Sequence, residues 1–347
     1  MTLTKIFVTG ATGYIGGTIV DRLIKHPEFK SFEITCLVRK PDQAEKLQTL
    51  GLKTVTGDYS SLDVLTEASS DADVVFAMAR PSSDDYPAAK AILDGLKKRF
   101  EKTGTPPVLI HTTGTAFAVE LVNGMHDKVN KVYNDLDSAS IEAIPADGIH
   151  RNVDIPLVQA DKEGYVRVYL MAPGVIFGVP KGALVDLGIQ QKKSIAISAL
   201  FEASVDRKRA GYIGGGKNVW PAVSLRDVAA LYLLAFDTAR ENPEALGHGR
   251  DGFYIAENCE WRPLEMMTAA GKILVEYGIA DGAEPTPFSK EEEIKYFGTF
   301  APLLASNCGA RGDRSRTLGW TPVDGKEELL QSVREGLLLH LPQEKKQ

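Results

Sequence analysis

The feature that most constrains this chain lies at its start. A short apolar run, Ile6-Phe7-Val8, passes directly into Thr9-Gly10-Ala11-Thr12-Gly13-Tyr14-Ile15-Gly16, and a helical pattern runs from Tyr14 to Lys25. Three glycines in G-x-x-G-x-x-G order between a strand and a helix have separate tasks. Gly10 permits the tight turn out of the strand, Gly13 lets the backbone approach a diphosphate with no Cβ in the way, and Gly16 lets the helix pack close to the strand. The free N–H groups and positive end of the helix then face the phosphates, with Thr12, Tyr14 and Ile15 lining the turn. A plain glycine-rich loop is the competing reading. The strand before and the helix after supply the context that a dinucleotide site requires.

The next strand ends Leu37-Val38-Arg39-Lys40. A site for NAD usually carries an acid here, roughly twenty residues beyond the last glycine, to accept from the ribose 2′-hydroxyl. No acid lies between Glu33 and Asp42. Arg39 and Lys40 stand there instead, and a guanidinium fork suits a 2′-phosphate, so NADP(H) is favoured over NAD(H). Two solvated surface cations are the alternative. Asp58, in Gly57-Asp58-Tyr59, is placed to accept from an adenine amino group or, equally, to cap a turn. Ala77, Met78 and Ala79 end the fourth strand, where small residues let a cofactor lie against backbone.

Further runs alternate in the same way. Strand patterns fall at Glu33–Val38, Thr54–Val55, Val74–Met78, Val108–His111 and Tyr165–Met171, and helical ones at Asp42–Leu50, Leu62–Ala68, Tyr86–Lys102 and Ile149–Lys162. Such alternation implies right-handed crossovers and an α/β fold with a doubly wound parallel sheet, the Rossmann arrangement. Residues 118–147 carry little periodicity and read as an irregular segment near the site. Beyond residue 180 helices dominate, at Leu184–Gln191, Leu225–Thr238, Leu264–Tyr277, Lys290–Phe297 and Lys326–Leu339, with one more strand at Phe253–Ile255. The division expected is 1–180 for the Rossmann domain, its sheet completed by segments around 225–257, and 181–347 for a smaller, mainly helical region. The polar tail Gln343–Gln347 is expected to fray.

Composition excludes several classes. The 347 residues carry a net charge of −6 with no long run of one sign, so no basic face is available for nucleic acid. The short cluster Arg207-Lys208-Arg209 reads as a solvated helix end. The three cysteines Cys36, Cys259 and Cys308 are far apart and fit neither a disulfide framework nor a thiolate zinc site, and no paired-histidine metal motif occurs. No charged-then-apolar leader pattern opens the chain. No apolar run reaches about 18 residues. A cytoplasmic protein with no membrane partner is expected, acting on a small molecule and possible as a homodimer.

Together these residues resemble the extended short-chain dehydrogenase/reductase superfamily, including its atypical, NmrA-like and epimerase-like members. The resemblance rests on Thr9–Gly17, Gly57-Asp58, Leu109-Ile-His-Thr-Thr113-Gly-Thr115, Ala172-Pro173-Gly-Val175-Ile-Phe177-Gly178, Ser224-Leu-Arg-Asp227 and Leu318-Gly-Trp320-Thr-Pro322. It implies a substrate-binding C-terminal region and NAD(P) chemistry on a small organic molecule, with Pro173, Val175 and Phe177 beside the nicotinamide. It also implies a catalytic Ser or Thr after the fifth strand, matched by Thr113, and a Tyr-x-x-x-Lys pair on the next helix.

That pair is missing: no Tyr-x-x-x-Lys lies between Val108 and Pro173. Counting back from Pro173 puts Asp147 and Arg151 in its place. An aspartate cannot act as a phenol at neutral pH unless burial raises its pKa by several units, and an arginine holds a ribose or phosphate without shuttling protons. Tyr133, in the irregular segment, is a candidate acid, against an ordinary half-buried tyrosine. His150 has the right intrinsic pKa but reads more readily as a surface or packing residue, and His111 as a core histidine. The reading that follows is an NADP(H)-dependent oxidoreductase, or an epimerase-like redox enzyme, acting on a small carbonyl or hydroxyl compound. Two alternatives stand beside it: an NmrA-like NADP(H)-binding sensor, and a non-redox catalyst with Thr113 or Asp147 as base.

Overall fold

The computed structural model describes residues 3–79 and 83–342; the tail Gln343–Gln347 lies outside the described residues. Its frame is a parallel sheet of seven strands: β1 (Thr4–Thr9), β2 (Phe32–Val38), β3 (Lys53–Thr56), β4 (Val74–Ala77), β5 (Val108–Thr112), β6 (Arg167–Pro173) and β7 (Phe253–Ala256). The order across the sheet is β7-β6-β5-β4-β1-β2-β3, and every pairing is parallel. The inner strands are short and almost wholly apolar because both faces are covered; all four residues of β4 are buried. Alternate side chains feed two separate cores. Phe7, Val75, Leu109 and Leu170 join one, and Ile6, Val8, Phe76, Ile110 and Tyr169 join the other.

Helices α1 (Tyr14–Ile24), α2 (Pro41–Gln48), α3 (Leu62–Ser70) and α4 (Tyr86–Thr103) make the first four crossovers, and α5 (Arg151–Lys162) precedes β6. Helix α4 starts at Asp85, whose carboxylate accepts from Ala88 N, and stops at Gly104 in a left-handed conformation. The strand order reverses at β1, which lies between β2 and β4. That is the switch point where an open α/β sheet parts its loops and leaves a crevice at the carboxyl ends of its strands.

A later helix, α6 (Leu225–Glu241), lies against the same sheet. Phe236 sits 5.5 Å, ring to ring, from both Phe32 and Phe76, and the Tyr232 hydroxyl is 2.7 Å from Thr112 Oγ1. Ser224 caps α6 by accepting from Asp227 N. The Asp227 carboxylate accepts from Val323 N and Asp324 N, while Trp320 Nε1 donates to the Asp227 carbonyl. The two late motifs of the sequence thus bind one another.

The C-terminal half departs from the sequence reading in four places. Of the expected helix Leu184–Gln191, only Leu184–Asp186 is helical, within a short helix Ala183–Asp186. Its remainder turns back to α1, where Gln190 Nε2 donates to the Tyr14 carbonyl and Gln191 N to the Thr12 carbonyl. A buried strand, Trp220–Ser224, pairs with Val175–Phe177 and Cys259–Trp261, and a helix spans Ala196–Asp206. The basic cluster following that helix is not a wholly solvated end, because Arg207 lies over the Phe288 ring at 4.5 Å and pairs with Glu292. Apolar surface on its neighbours drew the guanidinium stem inward.

Candidate functional site

The phosphate turn is built from its glycines. Gly10 has φ +71, and a Cβ there would stand 2.6 Å from Ala79 N and 2.7 Å from the Met78 carbonyl, so the ends of β1 and β4 touch only because it is glycine. A Cβ on Gly16 would overlap the Gly10 carbonyl oxygen. Gly13 N donates to that same carbonyl at 2.8 Å, closing the turn. Gly13 is the N-cap of α1; it offers no side-chain cap, and the first turn holds no acid. Positive helix-end charge is therefore uncompensated there, as an anion site needs. Tyr14 is half-buried, and its hydroxyl donates to the Gly178 carbonyl at 2.6 Å, which ties this turn to the loop after Phe177. Ile15 is half-buried against the core beside β1.

At the end of β2, Arg39 and Lys40 are exposed, and neither meets a carboxylate within ion-pair distance among the described residues. Asp58 is exposed as well. Its Oδ1 accepts from Ser60 N at 2.9 Å and from Ser60 Oγ at 2.6 Å, and these bonds hold its pKa below the usual carboxylate range. That is a turn-capping role at the start of α3. Ala77 and Met78 are buried and Ala79 half-buried; Met78 N donates to Thr9 Oγ1 at 3.2 Å.

A second polar group lies across the crevice, where β5 ends and α5 begins. Thr113 is buried, and its hydroxyl donates to Asp154 Oδ2 at 3.2 Å. Asp154 is 0% exposed, and its Oδ1 has no protein partner. Burial pushes its carboxyl up to about 7, against the opposing pull of His150, Thr113 and Arg151. Arg151 is buried too, with Nε unpartnered, and burial lowers its pKa. Each such unpaired atom costs about 1–3 kcal/mol. Two on one helical turn mark a place where stability gives way to something else.

His150 completes the group. It caps α5 with φ +69, a left-handed conformation unusual for a residue with a Cβ. Its Nδ1 is 2.9 Å from Asp84 Oδ1, and Asn152 Nδ2 donates to the Asp84 carbonyl at 2.8 Å, so the first turn of α5 holds Asp84 twice. The bond from His150 keeps the Asp84 carboxyl ionised to lower pH than usual. His150 Nε2 faces Gly114: a Cβ on Gly114 would stand 3.2 Å from it and 3.9 Å from the Pro173 carbonyl. His111, buried in β5, has its pKa pushed down to about 3 by burial first and by His150 second.

The remaining expected residues lie elsewhere or play packing roles. Asp147 is exposed in the turn before α5, which begins only at Arg151; the structure does not bring it to Thr113. Tyr133 is half-buried, paired in register with Ala310, its ring edge-on to Phe117 at 6.2 Å and under Lys131 Nζ at 4.2 Å. Val175 and Phe177 are buried, pairing with Ala222 and Ser224, and Pro173 ends β6 beside Ala256. Sequence reasoning missed Asp84 and Asp154. The available signal was spacing, since His150 and Asp154 are four apart, as the family's tyrosine and lysine are. Pro145–Gly148 forms a separate turn, in which Gly148 N donates to the Pro145 carbonyl, so Asp147 precedes α5 rather than lying on it.

A family model described as NAD(P)H-binding matches residues 10–104. A 4-hydroxy-2-methyl-3-oxo-4-farnesyl-3,4-dihydroquinoline-1-oxide ketoreductase from Stigmatella aurantiaca is 30% identical over 303 residues, covering 85% of this chain and 79% of its own. The chain belongs to the extended short-chain dehydrogenase/reductase family. Another relative, the oxidase ucsJ of an Acremonium species, is 28% identical over 339 residues, covering 92% of this chain and 93% of its own. Among solved structures, the Bacillus cereus UDP-glucuronic acid 4-epimerase, in complex with UDP-glucuronic acid and NAD, superposes with a TM-score of 0.65 at 13% identity, covering 97% and 99% of the two chains. Yeast methylglyoxal/isovaleraldehyde reductase Gre2, complexed with NADPH, gives 0.57 at 16% identity, covering 97% and 98%. Both show the extended-family fold. This member is thus an NAD(P)-binding protein of oxidoreductase and epimerase-like kind, with His150, Arg151 and Asp154 at the start of α5.

Proposed function

We propose that this protein is an NADP(H)-dependent oxidoreductase acting on a small carbonyl or hydroxyl compound. The observation that carries the cofactor preference is the exposed Arg39–Lys40 end of β2, without an ion-pair partner among the described residues, beside an α1 N-terminus with neither acid nor side-chain cap. In this reading the amides of Gly13–Ile15 hold the diphosphate and Arg39 forks onto the 2′-phosphate. Ala77–Ala79 and Pro173 let the cofactor lie along the strand ends. The cofactor, when bound, supplies or accepts a hydride. The chain's part is to hold the substrate oxygen near Thr113 and Gly114 and to keep bulk water out. The names of the two relatives, a ketoreductase and an oxidase, favour redox chemistry over a sensor. So does a buried polar group at the end of β5, which a sensor has no reason to maintain.

Calorimetric titration with NADPH and NADH, on the parent and on Arg39→Ala, tests the cofactor. A charge-assisted hydrogen bond contributes about 1.5–3 kcal/mol, so the variant should lose roughly ten- to a hundredfold in NADPH affinity. NADH affinity should change by less than about twofold. Equal loss of both nucleotides removes the 2′-phosphate role. Consumption of NADPH with a panel of aldehydes, ketones and quinones tests the reaction, and tight binding without turnover on any of them returns the sensor reading.

A further inference from the structure

We infer that His150, held by Asp84, gives and takes the substrate proton in place of the family's tyrosine, and that Asp154 positions the Thr113 hydroxyl beside it. The inference rests on the oxidoreductase reading above and names the proton carrier of that same site.

Geometry makes the assignment. A proton carrier at this position must sit at the carboxyl edge of β5, reach the crevice, and be fixed in one orientation. His150 meets each condition. It begins α5 directly beside Gly114, and its side chain is 14% exposed, enough to touch a ligand and too little to move freely. Asp84, ionised, accepts from Nδ1–H and so fixes the tautomer, leaving Nε2 toward Gly114 as the atom that exchanges a proton. Glycine at 114 keeps that nitrogen uncovered. The left-handed backbone at His150 aims the ring, and the two bonds from α5 to Asp84 hold it there. Strain kept at one residue, in a turn that any asparagine or glycine would form more easily, is what an aimed side chain requires.

Asp154 follows four residues later on the same helix face, where the family places lysine. It cannot touch substrate, being wholly buried, but it holds Thr113 Oγ1. With Asp154 ionised, Thr113 spends its proton on the carboxylate and turns a lone pair to the crevice; with Asp154 protonated, the hydroxyl is free to donate. Among the described residues, the titratable groups around His150 are Asp84 from the loop before α4, His111 from β5, and Arg151 and Asp154 from α5. Two acids and one cation surround it, since His111 stays neutral.

In carbonyl reduction the steps balance. A bound reduced nicotinamide would supply a hydride to the carbonyl carbon as the C=O π bond breaks; the oxygen would take the Nε2 proton of the His150 imidazolium, leaving an alcohol, the oxidised nucleotide and a neutral imidazole. Solvent then returns the proton to Nε2.

The test has two independent arms. In the protein without nucleotide, long-range proton–nitrogen NMR of histidine-labelled material, with His150 assigned by His150→Asn, reports the tautomer. The neutral ring should carry its proton on Nδ1. In Asp84→Ala that tautomer should be lost, while Asp84→Glu should restore most of it. An unchanged tautomer in Asp84→Ala overturns the positioning. The second arm is single-turnover reduction of a panel carbonyl. His150→Asn, which suits the left-handed backbone, should lower the rate about a hundredfold and abolish the pH dependence assigned to the ring, with NADPH affinity within twofold of the parent. A rate within twofold of the parent overturns the inference. If the parent itself binds NADPH but reduces nothing, the oxidoreductase reading fails and the catalytic assignment with it, whereas the NMR arm still decides whether Asp84 orients the ring.

Discussion

Asp154 is a fully buried carboxylic acid with one hydroxyl donor, and its titration has a sign that can be checked. Unfolded aspartates release their proton near 3.9. Folded Asp154 holds it up to about 7, chiefly because burial disfavours the charge. Between those values the native state binds more protons than the unfolded state, so this residue's contribution to stability falls as pH rises and is fully lost above about 7. Asp154→Asn keeps the shape and removes the charge. The variant should match or slightly trail the parent at pH 4 and exceed it at pH 8, by an amount on the order of 2–4 kcal/mol. Urea midpoints of both proteins at the two pH values measure this, and the difference between variants cancels titrations they share, including Asp84. A variant no more stable at pH 8 than at pH 4, relative to the parent, means the carboxyl is better solvated than its surroundings imply. Turnover should fall in the same variant, since an amide holds Thr113 in only one sense; stability gained and activity lost together mark a group kept for its chemistry.

Helix α1 shows why the nucleotide half of the site was legible from sequence and the catalytic half was not. The glycine spacing of the first turn expresses a local clash: Gly16 is glycine because its neighbour one turn back is the Gly10 carbonyl, a relation contained within seven residues. Gly16→Ala should therefore drive α1 away from β1, with a cost of roughly 1–3 kcal/mol for overpacking, and lower NADPH affinity at least tenfold; a thermal melt and a fluorescence titration read both. If the melt is unmoved, the helix has more slack than the turn geometry allows. Alternation of strand and helix gave the parallel sheet by equally local means, from β1 through β6. Helix α5 differs. Its register depends on a separate turn at Pro145–Gly148 and on a left-handed His150, and neither leaves a periodic trace. Its partner Asp84 comes from a loop 66 residues earlier. The helix Ala196–Asp206 and the strand Trp220–Ser224 were hidden for another reason: they pack on surfaces that the later chain supplies, so burial there follows no simple period.

At the scale of the molecule, the question is whether the expected boundary at residue 180 separates two units. The sheet gives a physical answer, because its seventh strand and the helix covering one of its faces both come from beyond that point. Phe236, Tyr232 and Leu231 of α6 are all fully buried in the core that contains Ile6, Phe76 and Ile110. Removing three large side chains from such a core forfeits about 1.5–3 kcal/mol each, a sum comparable to the whole stability of an ordinary domain, about 5–15 kcal/mol. The opposite face shares its core with Leu200, Phe201, Met267, Val333 and Leu337 of the C-terminal helices. A fragment ending at residue 180 should therefore retain helical far-ultraviolet circular dichroism, lose near-ultraviolet signal and bind hydrophobic dye, because local patterns survive while the packing that fixes them does not. The intact chain should unfold in one calorimetric transition whose van't Hoff and calorimetric enthalpies agree. Two resolved transitions, or a fragment with sharp near-ultraviolet bands that binds NADPH, would show that the first six strands close their own core. The site would then be a property of that unit alone, with the C-terminal region free to vary without disturbing His150 or the phosphate turn.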